Sequence, residues 1–230
     1  MTDTNTLCTQ LNERFAAWIE TSRVALHEVT LEVKPEHLVE LCLALRDEPP
    51  FAFNQLMDVC GLDYLHYGLD DWQTASATET GFSRGVTAKP LREEAAKPNR
   101  FAVVYHLLSL SKNHRLRLKV NLPDEKELMI DSVMSIWPSA NWYEREVFDL
   151  FGILFRDHPD LRRILTDYGF VGHPFRKDFP LIGKVEARYD ATLGRVVYEP
   201  VSIEARILEP KVIRHDHRYI VGEEGEAHGK

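Results

Sequence analysis

Residues 101–122, FAVVYHLLSLSKNHRLRLKVNL, decide the fold. Phe101 to Leu110 is apolar at nearly every position, as a strand buried on both faces should be. Ser111-Lys112-Asn113-His114 then reads as a turn. After it, Leu116, Leu118, Val120 and Leu122 alternate with Arg115, Arg117, Lys119 and Asn121, the period of a half-buried strand. Two such runs joined by a short polar segment predict a β-hairpin, so the chain is organised around a sheet.

Working outward toward the N-terminus, Leu11, Phe15, Trp18 and Ile19 recur at helical spacing and predict an amphipathic helix from about Thr6 to Ser22. Val29, Leu31 and Val33 alternate with Glu28, Thr30 and Glu32, a second half-buried strand. Pro35 opens a further helix whose stripe is Leu38, Leu41, Cys42 and Leu45, and Asp47 to Pro50 ends it. Phe53 to Tyr64 is apolar enough for another strand. From His66 to Arg100 the apolar period vanishes, so residues 66–99 are expected to form a partly disordered surface insertion between two strands. Helices at both ends with strands between them predict an α+β class, a two-layer sandwich of helices on a mixed or antiparallel sheet. That domain is expected to span residues 1–165. Beyond Gly169 the spacing of glycine and proline leaves no room for long elements, and residues 166–230 read as an extended arm and tail. The arm's many aromatics, Phe170, Phe175, Phe179, Tyr189, Tyr198 and Tyr219 among them, are too apolar for a free tail and predict burial against a partner.

The 230 residues can bury a real core, and 44% hydrophobic with 28% charged residues is ordinary globular composition. The net charge of −8 argues against nucleic acid as a partner. Cys8, Cys42 and Cys60 form no Cys-x-x-Cys pair, so no zinc or iron–sulfur site is suggested. Cys42 and Cys60 read as small core residues, in keeping with a reducing compartment. The opening MTDTNTLCTQ has no basic region followed by an apolar run, so no secretory signal is expected. No window approaches the ~20 apolar residues of a membrane-spanning helix.

The densest chemistry lies in Trp142 to Leu181, WYEREVFDLFGILFRDHPDLRRILTDYGFVGHPFRKDFPL. Asn141 with Glu144 has the spacing of a capping box, and Gly152 suits the left-handed end, predicting a helix over Trp142–Phe151. Arg145 and Asp149, four apart, can pair on it, while Glu146 and Asp149 crowd each other with like charge. A metal or acid–base site built on Glu144, Glu146, Asp149, His158 and His173 would want a Glu-x-x-His or His-Glu-x-x-His spacing, and neither is present. A structural ion-pair network with Arg145, Arg162 and Arg163 is the reading that fits. His215-Asp216-His217 supplies too few ligands for zinc alone and reads as a solvated or partner-facing tail. No dinucleotide-binding glycine turn, Walker loop or nucleophile elbow occurs, so neither catalytic nor cofactor-binding residues are expected in this chain.

Glu144-Arg145-Glu146, Asp149-Leu150-Phe151-Gly152-Ile153, Phe155, His158-Pro159-Asp160-Leu161-Arg162-Arg163-Ile164-Leu165, Gly172-His173-Pro174 and Arg176-Lys177-Asp178-Phe179-Pro180-Leu181 follow one another almost without gaps. This order closely resembles the signature of the C-subunit family of respiratory NADH:quinone oxidoreductase, complex I. Ile136-Trp137-Pro138 and Val197-Tyr198-Glu199-Pro200 agree more loosely, and residues 66–99 lie outside the resemblance. It implies a non-catalytic scaffold in the hydrophilic arm, peripheral on the cytoplasmic side of the bacterial inner membrane. It implies that the D-subunit of the complex, which is related to the hydrogenase large subunit, is the neighbour. FMN, iron–sulfur clusters and quinone would all sit in partner subunits, where electrons pass from NADH to quinone with proton translocation. Glu144, Arg145, Glu146, Asp149, His158, Arg162, Arg163, His173, Arg176 and Asp178 are the signature residues expected at a partner interface or in a structural network. On this reading Arg145→Ala and Asp149→Ala would weaken assembly more than they unfold the domain. The alternatives are the equivalent subunit of a ferredoxin-dependent quinone reductase or membrane-bound hydrogenase, and an autonomous metal-dependent hydrolase.

Overall fold

A computed structural model describes residues 4–65, 67, 73–74, 86–87, 99–122 and 128–203. The chain divides into two compact units, one of Met1–Leu65 with Lys97–Gly183 and one of His66–Ala96 with Lys184–Lys230.

The first unit is an α+β sandwich. Its elements are α1 (Thr4–Phe15), β1 (Ile19–Ala25), β2 (Glu28–Val33), a 3-10 turn (Pro35–His37), α2 (Leu38–Asp47) and β3 (Gln55–Asp63). In the second unit β4 (Gln73–Thr74) and β5 (Val86–Thr87) pair antiparallel. The first unit resumes with β6 (Phe101–Ser109), β7 (His114–Leu122), β8 (Met129–Asp131), α3 (Ala140–Phe151) and β9 (Leu154–Arg156). Five strands form a mixed sheet in the order β1-β2-β7-β6-β3. The β6–β7 hairpin lies in its middle, and β2 runs parallel to β7, with Val29 opposite Leu116 and Leu31 opposite Leu118. Those apolar residues share a core with Leu7, Leu11 and Phe15 of α1 and with Leu38, Leu41, Cys42 and Leu45 of α2. The alternate positions carry charge: Lys119 meets Glu32 at 2.9 Å and Arg117 meets Glu28 at 2.9 Å, cross-strand pairs that fix the register of a parallel contact.

One expectation fails at the N-terminus. The opening helix ends at Phe15, and residues 19–25 instead form edge strand β1. Trp18 still reaches the core, but from a turn, stacked 5.5 Å from Phe15. The β1–β2 turn is made by Leu26 and His27 at φ +52° and +62°, without the glycine or asparagine that marks such a turn in sequence. Residues up to Gly183 belong to the compact unit that holds the sheet, and β10 (Val185–Asp190) pairs with β11 (Arg195–Pro200) as an antiparallel hairpin in the second unit. The expected disorder of the insertion, apart from β4 and β5, and the His215-Asp216-His217 tail lie outside the described residues.

Helix α3 packs on β3 through Gly61, where an added Cβ would stand 2.6 Å from the Phe151 ring. Only the absence of a side chain lets the helix approach this closely. The parallel β8–β9 pair brackets the helix at its two ends.

Candidate partner-docking site

The helix begins two residues earlier than a cap at Asn141 would allow. Turns closed by Ile136 N–H to Val133 O and Ala140 N–H to Trp137 O lead directly into Ala140, and Ser139 at the N-cap position makes no side-chain cap. Asn141 is therefore inside the helix, and Glu144 is turned into the protein instead of back toward a cap. Glu144 is fully buried and accepts the Ser132 hydroxyl at 2.6 Å and the Val133 N–H at 2.8 Å. Burial pushes its carboxyl up to about 7, against the pull of those two hydrogen bonds.

The expected Arg145–Asp149 pair does not form. The Arg145 guanidinium donates to the carbonyls of Arg162 (3.0 Å) and Arg163 (3.2 Å) and lies over the Trp142 ring. Asp149 faces the other way, fully buried, and binds the returning chain. Its Oδ2 accepts the N–H groups of Ile164, Leu165 and Thr166 at 3.0, 2.7 and 2.9 Å. Its Oδ1 accepts the Thr166 hydroxyl at 2.7 Å and Arg163 Nη1 at 3.0 Å. Burial alone would raise this carboxyl, but the donors of Thr166, Leu165 and Ile164 outweigh it and hold it at about 2. Glu146 is exposed, so the expected crowding with Asp149 does not arise.

The same return loop closes the end of the helix. The last four carbonyls of an α-helix have no partner within it. Here Phe148 O accepts Gly152 N–H (2.8 Å), Asp149 O lies 2.9 Å from His173 Nδ1, Leu150 O accepts Phe175 N–H (3.1 Å) and Phe151 O accepts Arg176 Nε (2.6 Å). Gly152 adopts φ +75°, as expected. Nearby, His158 sets Nε2 3.3 Å from Asn141 O, and exposed Arg162 pairs with Asp160 at 2.9 Å. Asp178 accepts from Arg100 at 2.8 Å.

Sequence reasoning did not single out Asp63 or Arg100. The Asp63 side chain is wholly buried and takes Arg100 through both oxygens (3.1 and 3.2 Å), the Lys177 N–H (2.9 Å) and the Leu65 N–H (3.0 Å). Asp63 and Arg100 flank the insertion and moor the return loop at a second point. Their signal was present, an acidic and a basic residue at the ends of two adjacent strands, but more than thirty intervening positions hid it. Cys60 also departs from expectation. Cys42 is fully buried, whereas Cys60 is only half-buried and points toward His106.

Tied down by these hydrogen bonds, the loop presents large apolar side chains to solvent: Leu165, Tyr168, Val171, Phe175 and Leu181 are all exposed. Phe175, Phe179, Pro174 and Pro180 line a groove of about 610 Å³ against Gly61 and Asp63. Such a concentration on a rigidly tied segment is the character of a docking surface. Among the described residues no helix is long and apolar enough to cross a membrane.

Residues 31–185 match the family described as respiratory-chain NADH dehydrogenase, 30 Kd subunit. The NADH-quinone oxidoreductase C-subunit of Coxiella burnetii is 58% identical, over 97% of this chain and 98% of that protein. The protein of the same name from Legionella pneumophila is 56% identical over 98% of each chain. That from Halorhodospira halophila is 50% identical over the full length of both. A solved trypsin-resistant fragment of Nqo5 is 31% identical, covering 67% of this chain and 98% of its own, with a TM-score of 0.48.

Proposed function

The chain belongs to the 30 Kd subunit family of respiratory-chain NADH dehydrogenase, as a subunit of NADH-quinone oxidoreductase, and from that premise we propose that it serves as a non-catalytic assembly subunit. The observation that carries this reading is the division of labour in residues 142–183. Asp149 and Asp63 tie down the loop at Arg163–Thr166 and at Lys177, and large apolar side chains of the same loop face outward. A surface fixed in this way holds neighbours at a set distance, which electron tunnelling between separately bound cofactors requires. Glu144 and Asp149, the residues an acid–base mechanism would need, are committed to internal donors.

The neighbour is the hydrogenase-related D-subunit, with the cluster-bearing subunits of the hydrophilic arm beside it. FMN, the iron–sulfur clusters and quinone are carried by those partners, and electrons pass through them from NADH to quinone. The chain reaches the cytoplasmic face of the inner membrane only through the complex. Residues from Lys184 onward, with the β10–β11 hairpin and its exposed Tyr189, Val196 and Tyr198, act as an arm laid on the D-subunit.

Purification from membranes through a tag on this chain tests the reading. The D-subunit and the cluster-bearing subunits should co-purify in stoichiometric amounts. A chain stopped after Gly183 keeps His173, Phe175 and Arg176 on the end of α3, so it should stay folded and fail to join. Normal assembly of the shortened chain would remove the arm from the proposal. Absence of the D-subunit from the purified complex would end the proposal altogether.

A further inference from the structure

Three metal-capable side chains meet on the sheet where β3 borders β6. Asp58 and Cys60 come from β3 and His106 from β6, and their ligating atoms all lie within 4.8 Å of one another. Cys60 Sγ is 4.0 Å from His106 Nε2. Asp58 stands directly opposite His106 in the register, and Cys60, opposite Val104, is its diagonal neighbour. The meeting depends on a bulge between Leu56 and Asp58. Leu56 and Val59 are both buried although three positions apart, which a regular strand forbids. Without the extra residue, Asp58 and Cys60 would fall on the core face with Leu56. The bulge turns both donors to the side occupied by His106, the re-aiming for which bulges are used.

We propose that Asp58, Cys60 and His106 bind one zinc-class divalent cation through carboxylate, thiolate and imidazole, with water in the fourth position. The donor set favours this class: thiolate and imidazole select zinc over magnesium or calcium, and three protein ligands with one open position is a common zinc arrangement. Beside His106 lies a cavity of about 30 Å³, lined in part by Glu28, Met57 and Arg117, with room for a water. The surrounding charge also suits a cation. The carboxylates of Asp58, Glu28 and Glu146 act on the imidazole or thiol against Arg117, and Arg115 is a second cation lining the adjoining cavity. Arg117 is itself paired with Glu28 at 2.9 Å. Tetrahedral zinc wants its ligand atoms roughly 3.4–3.8 Å apart, from bond lengths of about 2.0–2.3 Å. Binding requires the Asp58 and Cys60 side chains to close that gap, and the thiol proton passes to solvent.

Cobalt(II) titration of the reduced, metal-stripped full chain tests the site, because thiolate coordination gives a charge-transfer band and tetrahedral cobalt an intense visible spectrum. One equivalent per chain is expected. Cys60→Ser and His106→Gln should each weaken binding by more than the roughly 10–100-fold that loss of a residue supporting a ligand costs, while Cys8→Ser and the double change His215→Ala with His217→Ala should leave it unaltered. In the unmutated protein, saturating zinc should also protect Cys60 from alkylation, a readout that needs no variant to fold. The proposal is overturned by lack of stoichiometric cobalt binding, by binding that survives Cys60→Ser but not the tail changes, or by alkylation of Cys60 that zinc does not slow.

Discussion

The two ends of α3 each bury a carboxylate, and the two carboxylates behave oppositely. Glu144 and Asp149 are both closed off from solvent, but Glu144 lies deeper in the protein. Glu144 receives one hydroxyl and one N–H, and its pKa rises from the ordinary 4.5 to about 7. Asp149 receives three N–H groups, a hydroxyl and a guanidinium, and its pKa falls from 3.8 to about 2. Depth of burial and the number of donors aimed at the oxygens therefore set the charge state together. One end tolerates a carboxyl best kept protonated, and the other is tied together by a carboxylate that must stay ionised.

The largest effect should come from removing the second. Asp149→Ala strands three N–H groups, the Thr166 hydroxyl and the Arg163 guanidinium in a shielded site. A loss of roughly 3–5 kcal/mol is expected, the scale of a broken buried ion pair. The sequence-based expectation was that Asp149→Ala would weaken assembly more than it unfolds the domain, and it assumed an exposed pair with Arg145 worth only about 0.3–0.5 kcal/mol. Denaturant unfolding of the isolated chain decides the matter, and a change smaller than that of a core Leu118→Ala substitution would contradict the geometry. The pH sign follows. Because the folded pKa is depressed, the Asp149 contribution is complete above about 3.8 and drains away as pH falls toward 2.

Glu144 carries the opposite sign. Its folded pKa lies above its unfolded one, so the fold is favoured at low pH and loses roughly 3 kcal/mol as pH rises from about 4.5 through 7. Glu144→Gln keeps the shape, accepts from Val133 N–H and donates to Ser132. Stability of the variant should be flat across that window and exceed that of the parent at pH 8. Parallel pH profiles for the two proteins would show that Glu144 is not held protonated.

The comparison also explains which parts of the molecule could be read from sequence. β2 and β7 were legible because Val29, Leu31 and Val33, and Leu116 to Leu122, alternate against one core face. Edge strand β1 was not, because nearly all of it faces solvent and no period is imposed on it. The Asn141 cap failed because a helix start depends on the incoming backbone, and the turns from Val133 onward already carry helical geometry into Ala140. The site was half legible. Its residue types betrayed a dense polar network, and Gly152 marked the helix end. The partners of Asp149 were hidden, since three of its five donors are backbone N–H groups, which any residue supplies.

Gly152 sharpens the contrast from the loop side. At φ +75° an alanine costs roughly 1–2 kcal/mol of backbone strain. Its Cβ would also sit 2.6 Å from His173 Nε2 and Arg176 Nη2. Those side chains could swing aside, but only by releasing the carbonyls of Asp149 and Phe151. Gly152→Ala should thus lower the melting temperature by more than strain alone predicts, yet by less than Asp149→Ala. A loss equal to that of Asp149→Ala would mean the two mooring points fail as one.

The smallest effect is expected where the chain leaves the sheet and returns. Asp63 lies opposite Phe101 in the β3–β6 register, Tyr64 N–H donates to Arg100 O at 2.7 Å, and Arg100 grips Asp63. The ends of the insertion are already closed by groups outside it, so replacing residues 68–98 with a short flexible linker changes mainly closure entropy, ~0.6 kcal/mol per doubling of loop length. The shortened chain should unfold within about 1 kcal/mol of the parent, with the pH dependence set by Glu144 and Asp149 unchanged. Arg100→Ala in the same background should cost more than the deletion, because the buried Asp63 then loses its cation. If the deletion instead gives insoluble protein while Arg100→Ala does not, the insertion itself supports the sheet, and the mooring of the return loop cannot be assigned to Asp63 and Arg100 alone.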